Sequence, residues 1–300
     1  MFNSPLKRRP LPWRETPFFN MLYLSARGQG GPDPTISWTS EIEWEPVQDF
    51  IREFNQKHHK LISASHVLTQ AVGWAIGQHP HLNRRVVGRR VYQFKKCNVS
   101  LTTRIPNDDE VKVIQIQEAD KKTVGQIAYI VFKKQLGYIR GSSAECKDLK
   151  RLRKVPGWIL RWSLRTLDWL DRNIRLPMMG RIDRLRESVV LVNDYSHPRF
   201  PTMTSYKPSR LPNESKTISV TLGKAEEKVH WEGDRPVKKL VAPLIVRVDH
   251  RVADGVQLAE FIATISDLMA NPAQMQDKSN SSTQLTQSTP PLPSIRKSAA

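Results

Sequence analysis

The heptad Asp249-His250-Arg251-Val252-Ala253-Asp254-Gly255 sets a histidine four residues before a carboxylate, with a glycine next to the latter. An unperturbed imidazole titrates near ~6.5, so His250 can take a proton and return it near neutral pH. Asp254 can cap a helix or orient nearby groups. Gly255 permits close backbone approach. General acid–base work fits these types at this spacing, and so does a surface histidine beside a capped helix. The spacing leaves both open.

The flanking elements decide how firmly such a turn is held. Residues 241–248 are a β-rich run, and residues 256–269 repeat apolar side chains with a helical period. A strand and a helix would therefore fix the turn between them, a common place for functional residues. Upstream, Ile36, Trp38, Ile42 and Trp44 alternate as in a strand, and residues 45–57 place Val47, Phe50, Ile51 and Phe54 on one helical face. A second helix is expected at 65–77, stopped by Pro80, then strands at 90–103 and 111–116, a helix at 123–136 and a strand at 216–222. Interleaved strands and helices point to an α/β or α+β layer structure.

Composition bounds the rest. The chain has 300 residues, 39% of them hydrophobic, enough for a sizeable core. Its 47 Lys+Arg against 29 Asp+Glu leave a net charge of +18, which suggests an anionic partner without naming one. Only two cysteines occur, Cys97 and Cys146, so a disulfide framework and a four-thiolate zinc site are excluded and a reducing, cytoplasmic setting is expected. No metal site is expected, because His58-His59 and His79-x-His81 lack ligand spacing. Nucleotide fingerprints, a G-x-S-x-G elbow and nucleic-acid-binding patterns are absent, so no nucleic-acid partner is expected. Residues 1–12 resemble a basic, Pro-rich arm, and residues 273–300 have the composition of a disordered tail.

The heptad resembles the D-H-R-x-x-D-G signature of the 2-oxoacid dehydrogenase E2 acyltransferase catalytic domain. Its H-x-x-x-D-G core is shared with chloramphenicol acetyltransferase and other CoA-dependent acyltransferases. His79-Pro80-His81-Leu82-Asn83 is similar to the family's P-x-x-N element, and the order of elements matches over residues 13–272. The resemblance implies a two-layer sandwich, a mixed β-sheet covered by helices, assembled as a homotrimer with the active site at the subunit interface. It implies His250 as general base, deprotonating a thiol or hydroxyl of a small-molecule acceptor that attacks an acyl-CoA thioester. It implies Asp254 in a mainly structural pairing with an arginine, for which Arg14 is the candidate. The family's oxyanion donor is a Ser or Thr hydroxyl. Here the pattern G-T-F-T-[IV]-S-[NS]-L-G is missing, and Ser188-Val189-Val190-Leu191-Val192-Asn193-Asp194-Tyr195-Ser196 stands in its place. Thr204 and Ser205, with Thr202 behind them, are the candidates. About a dozen residues precede the matched region, too few for a lipoyl or subunit-binding domain. The expectation is thus a free-standing CoA-dependent acyltransferase without a covalent lipoyl group. The alternatives are a lipoyl-dependent partner of a dehydrogenase and a non-catalytic scaffold.

Residues 136–187 hold 13 Lys+Arg against 6 Asp+Glu. At 100° per residue, 158–175 sorts into a Leu/Ile side, a Trp side (Trp158, Trp162, Trp169) and an Arg side (Arg161, Arg165, Arg172, Arg175). Such a helix suits either an anionic membrane surface or tryptophans packed over the protein's own channel or a subunit contact. The second is expected, because Leu/Ile faces are usually core.

Overall fold

The computed structural model describes residues 8–10, 35–87, 90–105, 111–143, 155–159, 162–163, 166, 169–170, 188–201 and 216–276. In chain order the elements are β1 (Arg8–Pro10), β2 (Thr35–Glu43), α1 (Glu45–His58), α2 (Ala64–Gln78), β3 (Arg84–Val87), β4 (Arg90–Phe94), β5 (Val99–Arg104), β6 (Val111–Ile116), α3 (Val124–Ile139), β7 (Val190–Asp194), β8 (Ile218–Leu222), β9 (Glu226–Glu232), β10 (Arg235–Asp249) and α4 (Gly255–Ala270). Seven strands make one sheet in the order β2-β10-β8-β7-β5-β6, with β9 paired to β10, and β1-β4-β3 make a small second sheet. The large sheet is mixed: β7 runs parallel to both β5 and β8, and the other pairs are antiparallel.

One face of this sheet meets the helices. Alternation sends Val99 and Leu101, Val190 and Val192, Val220 and Leu222, and Leu244 and Val246 into the same buried core as Leu68, Val72 and Phe261. α2 is the central helix and is apolar nearly all round: Val67, Leu68, Ala71, Val72, Ala75 and Ile76 are all buried. Gly73 lets it approach the 119–121 turn, where an added Cβ would lie 2.7 Å from the Ala119 Cβ. α3 starts at a full capping box between Thr123 and Gln126. The expected two-layer α/β sandwich is therefore the fold. No helix among the described residues is long and apolar enough to cross a membrane.

Three expectations need correction. The single strand at 90–103 is two strands in different sheets. Asn83 breaks it by donating Nδ2 to the carbonyls of Phe94 (3.2 Å) and Lys96 (3.0 Å), which turns the chain out of the small sheet. The strand expected at 241–248 starts six residues earlier, at Arg235, because β9 folds back on it through Gly233 (φ 62°). Finally, the ordered core extends past residue 273: residues 274–276 form a helical turn with Met275 fully buried.

Candidate active site

The histidine turn is held from three sides. Val252 N–H donates to the Asp249 carbonyl (2.9 Å) and closes the turn. Arg251 grips the Asp249 carboxylate through Nε (2.9 and 3.1 Å) and through its own backbone N–H (3.0 Å). Val252 and Ala253 are then buried in the core, each about 1% exposed. His250 sits at the centre of this clamp, and its Nδ1 lies 2.7 Å from the Ala253 carbonyl oxygen. A carbonyl can only accept, so the neutral ring carries its proton on Nδ1 and its lone pair on Nε2. Asp254 caps α4: its Oδ1 accepts from Gln257 N–H (2.8 Å), and Gln257 Oε1 accepts from Asp254 N–H (3.3 Å). At Gly255 a Cβ would meet nothing within 4 Å, so packing in this chain does not require that glycine.

The segment after α2 docks against α4 next to the turn. His79 Nε2 bonds Thr264 Oγ1 (2.9 Å), and its ring meets Phe261 edge-on. Burial lowers the pKa of His81, helped by His79 and Arg84 and opposed by Glu260 and Asp254. Asp254 and Glu260 therefore lie within electrostatic reach of His81. Among the described residues no group of three or more His, Cys, Asp or Glu is placed to hold a metal ion. Burial pushes the Cys97 thiol up to about 12, which leaves it an un-ionised thiol at neutral pH.

A polar cluster lies on the sheet face turned from the helices. Thr102 on β5 donates to Asn193 Oδ1 (3.0 Å), and Asn193 Nδ2 donates to Ser219 Oγ and Thr221 Oγ1, both at 3.2 Å. Asn193 thus spends both amide protons on the two hydroxyls, and each hydroxyl keeps its own proton to donate. Asn193 is also the sixth residue of the stretch 188–196, where the family pattern has its serine. The cluster spans two positions of β10: Thr221 pairs with Ile245 and Ser219 with Arg247. His250 is five residues beyond the first and three beyond the second, about 17 Å and 10 Å at strand rise. At the histidine's own end, Lys216 Nζ donates to Ser100 Oγ (2.9 Å) and the Ser188 carbonyl (2.8 Å). Burial, with Arg85 adding to it, pulls its pKa down to about 7.

Of the residues singled out in the sequence, His250, Asp254 and Gly255 fall together on the β10–α4 turn. Arg14, Thr202, Thr204 and Ser205 lie outside the described residues. Asn193, Ser219, Thr221 and Lys216 were missed. For Asn193 the sequence signal was the departure from the family pattern at 188–196; the other three carried none.

The family of 2-oxoacid dehydrogenases acyltransferase catalytic domains matches residues 32–142 and 212–276. A search of curated proteins returns no match. Among solved structures, the cubic core of a pyruvate dehydrogenase multienzyme complex superposes with TM-score 0.58 at 15% identity, covering 86% of this chain and 88% of that one. The Azotobacter vinelandii dihydrolipoamide acetyltransferase, solved to probe a serine, a histidine and an asparagine in its mechanism, gives 0.56 at 16% identity, with 86% and 88% covered. A truncated catalytic core of the Thermoplasma acidophilum 2-oxoacid dehydrogenase complex gives 0.53 at 15% identity, with 84% and 94% covered. At these identities the likeness establishes the fold.

Proposed function

This chain belongs to the 2-oxoacid dehydrogenase acyltransferase (catalytic domain) family, and we propose on that premise that it moves an acyl group from a CoA thioester to a thiol or hydroxyl acceptor, with His250 as general base. The observation that carries this is the Nδ1–H bond to the Ala253 carbonyl. It holds one tautomer, with the basic lone pair on Nε2. Nε2 takes the acceptor's proton as the acceptor sulfur or oxygen bonds to the thioester carbonyl carbon. The carbonyl oxygen becomes an oxyanion. When the C–S bond breaks, the departing CoA thiolate recovers the proton from Nε2. Asp254 acts through position, fixing the start of α4 directly after the turn. The net charge of +18 suits a donor bearing a pyrophosphate and a 3′-phosphate.

The oxyanion needs donors, and Ser219 and Thr221, set by Asn193, supply two protons on one sheet face. At about 10 Å (Ser219) and 17 Å (Thr221) along the strands they are too far to share one reacting carbonyl with the same copy's His250. In this reading each site joins the histidine of one copy to the hydroxyl cluster of another, which supports a homotrimer. Thr204 and Ser205 remain candidates for the same role.

The likeness to a dihydrolipoamide acetyltransferase favours dihydrolipoamide as one acceptor to test. The experiment is thiol release from short- and long-chain acyl-CoA, with and without dihydrolipoamide or a small alcohol, for wild type and His250→Ala. Release that depends on His250 supports the transferase. Dependence on dihydrolipoamide alone assigns it to lipoyl chemistry. A folded, oligomeric protein that releases no thiol with any pair is a scaffold, and the proposal fails.

A further inference from the structure

The Arg/Trp segment has no part in the histidine turn, and it lies in the 143–211 gap between the two stretches matched by the family. Its described residues at 157–159, 162–163, 166 and 169–170 are helical. Their exposure follows the helical angle. Trp158, Trp162 and Trp169, within 40° of one another at 100° per residue, are 72%, 68% and 56% exposed. Thr166, Ile159, Leu170 and Ser163 follow at about 80° to 140° on the same count, and all four are half-buried. Ile159 and Leu170, on the Leu/Ile side, are thus less exposed than the tryptophans, which do not cover the chain's own interior. The tryptophans form a ridge turned to solvent.

Three exposed tryptophans in three turns are an unusual expenditure of apolar surface, and the charge around them selects what covers it. Residues 150–175 carry eight Lys+Arg against two Asp. In the sequence, Lys150, Arg151, Arg153 and Lys154 precede Trp158, and Arg161, Arg165 and Arg172 alternate with the tryptophans. A second copy would bring the same positive charge to the contact, on chains of net charge +18 each. An anionic surface would instead be attracted. Indole prefers the boundary between headgroups and acyl chains, and guanidinium pairs with phosphate. We propose that this ridge docks the protein on an anionic lipid bilayer, with the tryptophans at the acyl boundary and the flanking arginines on lipid phosphates. The helix would lie in the interface and not span it.

The test is sedimentation of the full chain with vesicles of phosphatidylcholine alone and of equimolar phosphatidylcholine and phosphatidylglycerol. The variants are W158A/W162A/W169A and R161E/R165E. Wild type is expected to sediment only with the anionic vesicles and to be released by salt. Each variant should bind at least about tenfold more weakly, by loss of interfacial and electrostatic contacts. Brominated lipid should quench part of the wild-type tryptophan emission, and less of it in the triple Trp variant. The wild-type lipid and salt dependence needs no variant to fold. Three results would overturn the proposal: no lipid-dependent sedimentation, binding unchanged in the triple Trp variant, or lipid-independent self-association that this variant abolishes. The last would assign the ridge to a contact between copies.

Discussion

If the histidine and the hydroxyl cluster of one site come from different copies, two inactive variants should repair each other. His250→Ala removes the base and keeps Asn193. Asn193→Ala keeps the base and releases the two hydroxyls from their shared donor. Each alone should lose on the order of 10²-fold or more in acyl transfer. Suppose the two are co-expressed in equal amounts and assemble at random. A working site needs its histidine from an Asn193→Ala copy and its cluster from a His250→Ala copy, each met with a chance of one half. About a quarter of the sites are then intact, whatever the ring size, provided the interface is head-to-tail. Distinct affinity tags would isolate the mixed oligomers, in which a trimer has about one intact site in three, and thiol release from acyl-CoA would read the recovery. Mixing the two variants after separate assembly should restore nothing until subunits exchange. Mixed oligomers no more active than the mean of the parents would refute the argument and place both halves of the site in one chain.

Lys216 makes stability depend on pH. Its folded pKa, about 7, lies below the unfolded 10.5, so between the two the unfolded chain holds more protons and stability rises with pH. Urea melts from pH 7 to pH 9 should gain about 2 kcal/mol that Lys216→Met lacks; parallel curves would mean the folded lysine is charged. Gly73→Ala should cost about 1–3 kcal/mol, because its Cβ would crowd Ala119, whereas Gly255→Ala, opening into empty space, should cost almost nothing; equal midpoints would disprove the close approach. Asp254→Ala should lose about 1 kcal/mol of stability by removing the α4 cap, read in the same denaturant melts, while Asp254→Asn retains most of it.

Local signals made the histidine turn legible. The strand into it, the cap after it and the helix beyond it are each written in neighbouring residues. β4 and β5 ran together because apolar alternation continues from Val91 through Leu101, and the break between them is made by Asn83, distant in sequence. The first half of β10 was invisible, because Lys238 and Lys239 show no apolar period. They are held instead by ion pairs with Glu227 and Glu232 across the hairpin and Glu43 on β2. Asn193, Ser219 and Thr221 escaped for a related reason: polar alternation in a strand marks a face turned from the core, and cannot say what that face is for. Nothing near Lys216 in sequence marks it as buried, since its neighbours Ser100 and Arg85 come from other strands.

β5 lies between β6, antiparallel to it, and β7, parallel to it, so β6 itself returns the chain and the connection that follows has only to pass β5 to reach β7. The register of β5 against β7 is set by the strands themselves, Val99 against Val190 through Leu101 against Val192. Lengthening a flexible connection of this kind costs only about 0.6 kcal/mol per doubling. This connection is thus a place where the scaffold tolerates new sequence cheaply, and Trp158, Trp162 and Trp169 sit within it. On the docking proposed above, the ridge could be exchanged or erased there while the histidine turn, on another strand, keeps its geometry.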